Sequence, residues 1–186
     1  MARRVAIVKL LADMDPAVDD PQGALADHRV LVDGAVVTNP ASQVLPSARV
    51  VVKPPRRPRG TAKLGAALDR FEVAVAGRIG LDLGACTGGF TQALLDRGAA
   101  RVFAVDVGYG QLLGSLRQDT RVVSLERTNV ADVTPELLGT HPGVVVVDVT
   151  KLSLREVVRQ LADHDVPGPG TDLVGLVKPL FEPGVG

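Results

Sequence analysis

From about residue 61 onward, apolar and polar positions alternate between strand-like runs and stretches with helical spacing. Short apolar runs predict strands near residues 79–83, 101–106, 121–125, 143–148 and 173–178. Apolar residues with helical spacing predict helices near residues 62–75, 89–97, 110–117, 134–138 and 153–162. This alternation predicts an α/β fold class, with a mainly parallel sheet and right-handed crossovers.

The first part of the chain has a different pattern, which predicts a small α+β unit. Residues 5–11 are expected to form a short helix, and the acidic residues 15–23 a loop. An Asp33-Gly34 pair inside residues 28–37 is a strong β-hairpin signal, and residues 48–53 predict a third strand. The expected domains are residues 1–53 and 61–186, joined by a basic, proline-rich linker over residues 54–60.

A glycine-rich turn after the first strand of the α/β region predicts a ligand site. The turn reads Gly84-Ala-Cys-Thr-Gly88-Gly89, and Asp82 lies two residues before it. These glycines allow a tight turn and a close approach of the backbone to a ligand. Asp106 ends the next strand, 24 residues after Asp82, where a carboxylate is placed to accept hydrogen bonds from ribose hydroxyls.

The glycine spacing indicates which nucleotide-like ligand to expect. A dinucleotide fingerprint reads G-x-G-x-x-G and places a pyrophosphate at the helix N-terminus. The spacing here is D-x-G-x-x-x-G-G, and its acid would repel a pyrophosphate. This favours a nucleoside with a cationic, phosphate-free tail, such as S-adenosylmethionine, over a nicotinamide cofactor. A purely structural strand–turn–helix is the alternative.

Composition and charge narrow the function classes further. The chain is 46% apolar, no run approaches the length of a membrane span, and we expect a cytoplasmic protein. The one cysteine, Cys86, excludes an internal disulfide and a cysteine-rich metal site, so no metal is expected. Net charge is zero, but Arg56, Arg57 and Arg59 cluster in the linker and predict salt-sensitive binding to RNA phosphates. An ordinary solvated linker is the alternative.

The sequence DLGACTGGFTQALLDRGAARVFAVDVGYGQL, followed by LRQDTRVVSLERTN, resembles the core of TlyA-type hemolysins, also called ribosomal RNA 2′-O-ribose methyltransferases. The resemblance runs from about Arg59 to Glu182. It implies an FtsJ-like, Rossmann-like core that uses S-adenosylmethionine, joined to an N-terminal RNA-binding domain of the ribosomal-protein S-four type. Ribosomal RNA or ribosomal subunits are the implied partners. Such a core has seven strands, so we expect the last two to be missing from this chain.

The resemblance also implies site residues. FtsJ-like enzymes use a Lys-Asp-Lys-Glu set, and its first three members correspond to Lys63, Asp148 and Lys178. Strand ends meet at the carboxyl edge of an open sheet, so we expect the last two to lie together. The expected cofactor residues are Asp82, Gly84 and Gly88 at the methionine end, Asp106 at the ribose, and Asn129 or Asp132 at the adenine amino group.

Two departures from the family pattern keep an alternative open. The glutamate of the catalytic set has no counterpart, because Glu182 belongs to the K-P-L-F-E segment. Lys151 also stands where the family has a hydrophobic or aromatic residue. A catalytically inactive, truncated relative that binds RNA or cofactor is therefore the second hypothesis. Membrane lysis, which the older family name suggests, has no support in a spanning or strongly amphipathic basic stretch.

Overall fold

The structure is a computed structural model of the 186-residue chain, and it describes residues 3–54, 58 and 60–184. The chain forms two compact units. The smaller consists of Met1–Arg56 and Leu113–Gln118, and the larger of Arg57–Leu112 and Asp119–Gly186. Residues 113–118, which the sequence pattern predicts to be part of the second domain, belong to the smaller unit.

The smaller unit contains two antiparallel sheets and short helices. Its elements are β1 (Val5–Ala6), α1 (Ile7–Ala12), α2 (Pro21–Ala26), β2 (Val30–Val32), β3 (Ala35–Val36), β4 (Gln43–Val44), β5 (Val50–Val52) and, from the later segment, α5 (Gly114–Gln118). Strand β2 pairs with both β3 and β5, which confirms the predicted hairpin and third strand. The fully buried residues Ile7, Leu11, Leu25 and Val30 form the centre of its core.

Two predictions for the smaller unit were wrong in detail. Val5 and Ala6 pair with β4, so the first helix begins two residues later than expected. The predicted loop over residues 15–23 ends early, because α2 begins at Pro21. The Asp20 carboxylate accepts a 2.9 Å hydrogen bond from the Gly23 N–H and caps this helix. Proline in the first turn of a helix is favourable, since its missing N–H would have no partner there.

The larger unit is a parallel sheet with helices on both faces. Its elements are α3 (Thr61–Arg70), β6 (Ile79–Leu83), α4 (Gly89–Asp96), β7 (Arg101–Asp106), β8 (Val122–Glu126), α6 (Pro135–Leu138), β9 (Val144–Val147), α7 (Leu154–Asp163) and β10 (Asp172–Gly175), with 3₁₀ helices at Val130–Asp132 and Pro179–Phe181. The strand order is β10-β9-β6-β7-β8, and every neighbouring pair is parallel.

Burial on both faces explains the apolar strands of this sheet. All four valines of β9 are buried, as a central parallel strand requires. Leu81 and Leu83 belong to the same core cluster as Val157 of α7. Asp82 alternates to the other face, where it contacts Thr91 of α4. The odd-numbered and even-numbered side chains of β6 therefore contact helices on opposite faces of the sheet.

The five predicted strands are confirmed, and the helices differ mainly at their ends. Helix α3 ends at Arg70 and not at residue 75, because Glu72 adopts a left-handed conformation with φ of 54°. Helix α5 begins at Gly114 and not at residue 110, where Gly110 has φ of 69°. Strand β10 ends at Gly175, before Lys178, and Pro179 begins a 3₁₀ turn. No helix within the described ranges is long and apolar enough to cross a membrane.

Arg78 joins the amino ends of three neighbouring strands. Its Nη1 forms a 2.6 Å ion pair with Asp172 of β10. Its Nη2 donates to the carbonyl oxygen of Gly143, just before β9, and to that of Gly170 at 2.7 Å. One side chain therefore satisfies backbone acceptors at the end of the sheet opposite the carboxyl edge.

We expect Arg78→Met to lower the free energy of unfolding by about 2 kcal/mol, because several hydrogen bonds to carbonyl oxygens are lost together. Urea unfolding measures the change. Arg101→Met is the matched control, since Arg101 is exposed at the amino end of β7 and makes no hydrogen bond or ion pair with its side chain in the described part of the chain. Equal losses in the two variants would contradict this account of Arg78.

Candidate active site

A cavity of about 570 Å³ lies at the carboxyl edge of the larger unit's sheet. Its lining comes from the segments that follow β6, β7, β8 and β9, and from α7. These residues are Gly84, Cys86, Val105, Asp106, Val107, Gly108, Gln111, Asn129, Val130, Ala131, Asp148, Val149, Thr150, Lys151, Leu152 and Gln160. The volume suits a small ligand, and the carboxyl edge is where open α/β sheets bind one.

The turn after β6 brings two strand ends into close approach. Gly84 has φ of 89°, and a Cβ atom there would lie 2.5 Å from the carbonyl oxygen of Asp148. The N–H groups of Gly84 and Ala85 both donate to the carbonyl oxygen of Val105. Gly88, with φ of 95°, precedes α4 and does not line the cavity. Of these two predicted glycines, Gly84 therefore forms the wall and Gly88 shapes the turn.

Asp106 holds two loops of the cavity together. Its Oδ2 accepts a 2.8 Å hydrogen bond from the Cys86 N–H, and its Oδ1 accepts one of 2.6 Å from the Gly108 N–H. Each carboxylate oxygen can accept a further hydrogen bond. The side chain is thus fixed at the cavity wall and keeps the capacity to bind hydroxyl groups.

Asp82, a predicted cofactor residue, is fully buried and does not line the cavity. Its Oδ2 accepts a 2.6 Å hydrogen bond from the Thr91 hydroxyl, and its Oδ1 accepts none from the described residues. Burial raises the pKa of Asp82 to about 7, against the opposing effect of the Thr91 hydrogen bonds. The charges of Asp148 and Asp106 raise it further.

Asn129 and Asp132, the two candidates for the adenine amino group, differ in position. Asn129 lines the cavity, while Asp132 does not. Both cap the 3₁₀ helix at Val130–Asp132: Asn129 Oδ1 accepts from the Ala131 N–H at 3.3 Å, and Asp132 Oδ2 accepts from the Asn129 N–H at 3.2 Å. Each of the two residues therefore has one side-chain oxygen that takes part in capping.

The structure brings two of the three predicted catalytic residues together. Lys178 Nζ lies 2.6 Å from Asp148 Oδ1 and donates to the carbonyl oxygen of Val149 at 2.7 Å. About a quarter of each side chain of the pair is exposed. Asp148 Oδ2 accepts no hydrogen bond from the described residues, and Asp148 lines the cavity. Lys178 does not line the cavity, so the ion pair presents its carboxylate, and not its ammonium, at the cavity wall.

Other predicted residues lie apart from this pair. Lys63 is exposed on α3, does not line the cavity, and makes no side-chain hydrogen bond or ion pair with any residue the structure describes. The predicted RNA-binding residues Arg56, Arg57 and Arg59 lie outside the described residues. No cluster of three or more His, Cys, Asp or Glu residues in the described ranges is arranged to hold a metal ion.

Three further side chains have positions that the sequence left open or missed. Lys151 lines the cavity in a left-handed conformation with φ of 67°. Tyr109 is 68% exposed, and the Arg127 guanidinium lies over its ring, 4.4 Å from the ring centroid. Gln160 of α7 lines the cavity and was not among the predicted site residues. The sequence feature that could have indicated Gln160 is its position, as a polar residue, at helical spacing from Val157 and next to Leu161, which are both buried.

The sheet order, the glycine turn after β6 and the carboxylate that ends β7 define a Rossmann-like α/β protein with a cavity at the carboxyl edge of its sheet. Its family follows from comparison with known proteins. The chain belongs to the FtsJ-like methyltransferase family, whose model matches residues 56–186. This confirms the resemblance found in the sequence.

Named relatives extend the likeness to the whole chain. A 16S/23S rRNA (cytidine-2′-O)-methyltransferase TlyA of Mycobacterium tuberculosis is 46% identical over 195 residues, which cover all of this chain and 71% of that protein. Hemolysin A of Brachyspira hyodysenteriae is 36% identical over 160 residues, covering 82% of this chain and 64% of that protein. The solved structure of a hemolysin-type protein from Streptococcus thermophilus matches with a TM-score of 0.64 at 30% identity, covering 99% of this chain and 69% of that one.

We expect Asp82→Asn to remove a pH dependence of stability. The folded chain holds a proton on Asp82 up to about pH 7, while the unfolded chain loses it near pH 4. Folding therefore takes up a proton between these values, and this contribution to stability is present at low pH and lost as pH rises through 7. Asparagine is neutral throughout, so the variant should be more stable than the parent at pH 8 by a few kcal/mol.

Urea unfolding of both proteins between pH 4 and pH 8 measures the difference. Asp96→Asn, at an exposed aspartate of α4, is the control for loss of a surface carboxylate. A constant difference between Asp82→Asn and the parent across this range would contradict the assignment.

Proposed function

We propose that this chain is an S-adenosylmethionine-dependent methyltransferase that modifies ribose 2′-hydroxyls of ribosomal RNA. The observation that carries the proposal is the Asp148–Lys178 ion pair, whose carboxylate lines the same cavity as Asp106. A carboxylate for the cofactor ribose and an ammonium–carboxylate group for the acceptor hydroxyl thus share one site. The names of the relatives supply the RNA class.

The residues of the cavity fit S-adenosylmethionine. The volume of about 570 Å³ accommodates a nucleoside with an amino-acid tail. Asp106 retains acceptor capacity for two ribose hydroxyls. Asp106 and Asp148 give the cavity wall carboxylates that suit a cationic tail and disfavour a pyrophosphate.

The Asp148–Lys178 pair would bind and activate the acceptor hydroxyl. When bound, S-adenosylmethionine supplies a methyl group on a sulfonium, and the ribose oxygen bonds to this carbon as the carbon–sulfur bond breaks. An ammonium has three N–H donors, and Lys178 gives one of them to the Val149 carbonyl oxygen while it forms an ion pair with Asp148 Oδ1. We infer that another of its N–H groups would bond the ribose oxygen.

The same pair accounts for the charge and the proton of the reaction. The Lys178 ammonium stabilises the negative charge that develops on the ribose oxygen. Asp148 Oδ2, which has no hydrogen-bond donor among the described residues, accepts the hydroxyl proton. Because an ion pair joins the two side chains and a hydrogen bond holds Lys178 before substrate arrives, positioning supplies part of the rate.

The RNA would contact the N-terminal half of the chain. We propose that residues 1–53 are an S-four-like RNA-binding domain, that the linker of residues 54–60 binds phosphates through Arg56, Arg57 and Arg59, and that residues 61–186 carry the methyltransferase. Asp13, Asp15, Asp19 and Asp20 are exposed and would repel phosphate, which favours the linker as the main electrostatic contact. A ribosomal substrate places the reaction in the cytoplasm.

A catalytically inactive relative that binds cofactor and RNA is the second candidate. The observation that favours it is Lys63, which is exposed and contacts neither Asp148 nor Lys178. Lys151, with its charge at the cavity wall, is a further departure from the family pattern. Turnover distinguishes the two candidates, because both bind cofactor.

Asp106→Asn should weaken the binding of S-adenosylmethionine by roughly 10-fold or more, because a charged acceptor for the ribose hydroxyls is lost. Asp132→Asn is the matched control, since Asp132 does not line the cavity, and its affinity should stay within about twofold of the parent. Calorimetric titration measures both. No binding by a folded parent chain would refute the cofactor assignment.

Lys178→Met should lower the rate of methyl transfer to ribosomal RNA by roughly 100-fold, while cofactor affinity changes little, because the group that stabilises the oxygen is removed. Transfer of a radiolabelled methyl group to ribosomal subunits measures the rate. Lys63→Met in the same assay tests whether that lysine joins the site when RNA is present. Equal rates for Lys178→Met and the parent would exclude the mechanism, and an inactive parent that binds cofactor would establish the second candidate.

A further inference from the structure

Gln160 offers the cavity an unused hydrogen-bond acceptor. Its amide nitrogen donates to Glu156 Oε1 at 2.9 Å, one helical turn earlier on α7. Its amide oxygen, Oε1, is buried and accepts no hydrogen bond from the part of the chain that the structure describes. Gln160 also lines the cavity. A buried acceptor without a donor is unfavourable, so a ligand that donates to it gains affinity.

The orientation of this amide follows from the chemistry of its partner. Glu156 accepts two hydrogen bonds from Arg159, at 2.6 Å and 3.0 Å, besides the one from Gln160. These bonds hold the pKa of Glu156 at about 2, so it is ionised at neutral pH. An ionised carboxylate has no donor, and only the NH₂ group of Gln160 can face it. The flipped amide is excluded, and the oxygen is left as the free group.

The surroundings of Gln160 suit a flat base. Helix α7 packs against the 3₁₀ helix at Val130–Asp132, and this part of the lining includes Val130, Ala131 and Leu152. Asn129, the other amide in this part of the lining, already uses its oxygen to cap the 3₁₀ helix. Of the two amide oxygens, only that of Gln160 accepts no hydrogen bond at all from the described residues.

We propose that Gln160 accepts a hydrogen bond from the 6-amino group of the cofactor's purine and thereby selects adenine over hypoxanthine. The inference deepens the proposed function and rests on it, and it assigns to α7 the role for which Asn129 and Asp132 were the sequence candidates. Hypoxanthine carries an oxygen in place of the amino group. Two acceptors would then face each other, and the Gln160 oxygen would stay unpaired.

The test compares S-adenosylhomocysteine with its deaminated form, S-inosylhomocysteine, by calorimetric titration of the full chain. The parent should bind the adenine ligand at least roughly 10-fold more tightly. Gln160→Met keeps the length and volume of the side chain without its acceptor, and the preference should fall to within about threefold. The loss should come mainly from weaker binding of the adenine ligand.

Gln92→Met is the matched control. Gln92 of α4 also donates its amide nitrogen to a carboxylate one turn away, Asp96 Oδ1 at 2.8 Å, but it does not line the cavity. This variant should keep the full preference for adenine. Circular dichroism and thermal unfolding of all three proteins establish that they are folded.

The outcomes separate this inference from the proposed function. A parent that binds both ligands equally, or a folded Gln160→Met that keeps the preference, overturns the role of Gln160 and leaves the cofactor site standing. A folded parent that binds neither ligand overturns the proposed function and this inference together. The comparison of ligands on the parent requires no variant, so an equal affinity overturns the role of Gln160 even if Gln160→Met fails to fold, and Gln160→Leu then replaces it as the variant without an acceptor.

Discussion

The close approach of two backbones at Gly84 is the constraint on which the active site depends. The Gly84 position has no room for a side chain, because the carbonyl group of Asp148 occupies that space. This contact fixes the end of β6 against the end of β9, the two most deeply buried strands of the sheet. The Asp148–Lys178 pair and the cavity wall take their positions from that junction, so any side chain at residue 84 would displace them together.

A second theme is the gathering of carboxylates at one edge of an otherwise apolar sheet. Asp82, Asp106 and Asp148 end or nearly end three neighbouring strands, and each is balanced in a different way. Asp106 accepts hydrogen bonds from two backbone N–H groups, and Asp148 forms an ion pair with Lys178. Asp82 has a raised pKa of about 7 and keeps its proton below that pH. A cationic ligand at this edge therefore replaces the proton on Asp82 more readily than it breaks the Asp148–Lys178 ion pair.

Much of the fold was predictable from the sequence, because strands buried on both faces read as continuous apolar runs. The β9 valines are the plainest case. The wrong boundaries lie where one residue decides the backbone, as at Glu72 with its positive φ, or where a side chain caps a helix, as Asp20 does for α2. Such choices depend on contacts that periodicity does not show.

The site was predictable only in part. Motif position placed Asp106, Asp148 and Gly84 at the carboxyl edge, since strand ends there must converge. Motif position could not predict that Asn129 lines the cavity and Asp132 does not, because this depends on the orientation of the 3₁₀ helix at Val130–Asp132. Gln160 escaped notice because it comes from a helix behind the site, and its free oxygen is defined only by the hydrogen bond of its nitrogen.

The segment Leu113–Gln118 has a consequence for how the chain folds. Asp27 Oδ1 accepts a hydrogen bond from the Ser115 N–H, and the two residues are 88 positions apart. Gly114 packs so closely on Ala26 that a Cβ atom there would lie 2.5 Å from its carbonyl oxygen. These contacts within the smaller unit are therefore of high sequence separation, and α2 cannot pack against α5 during synthesis until the first two strands of the larger sheet have left the ribosome.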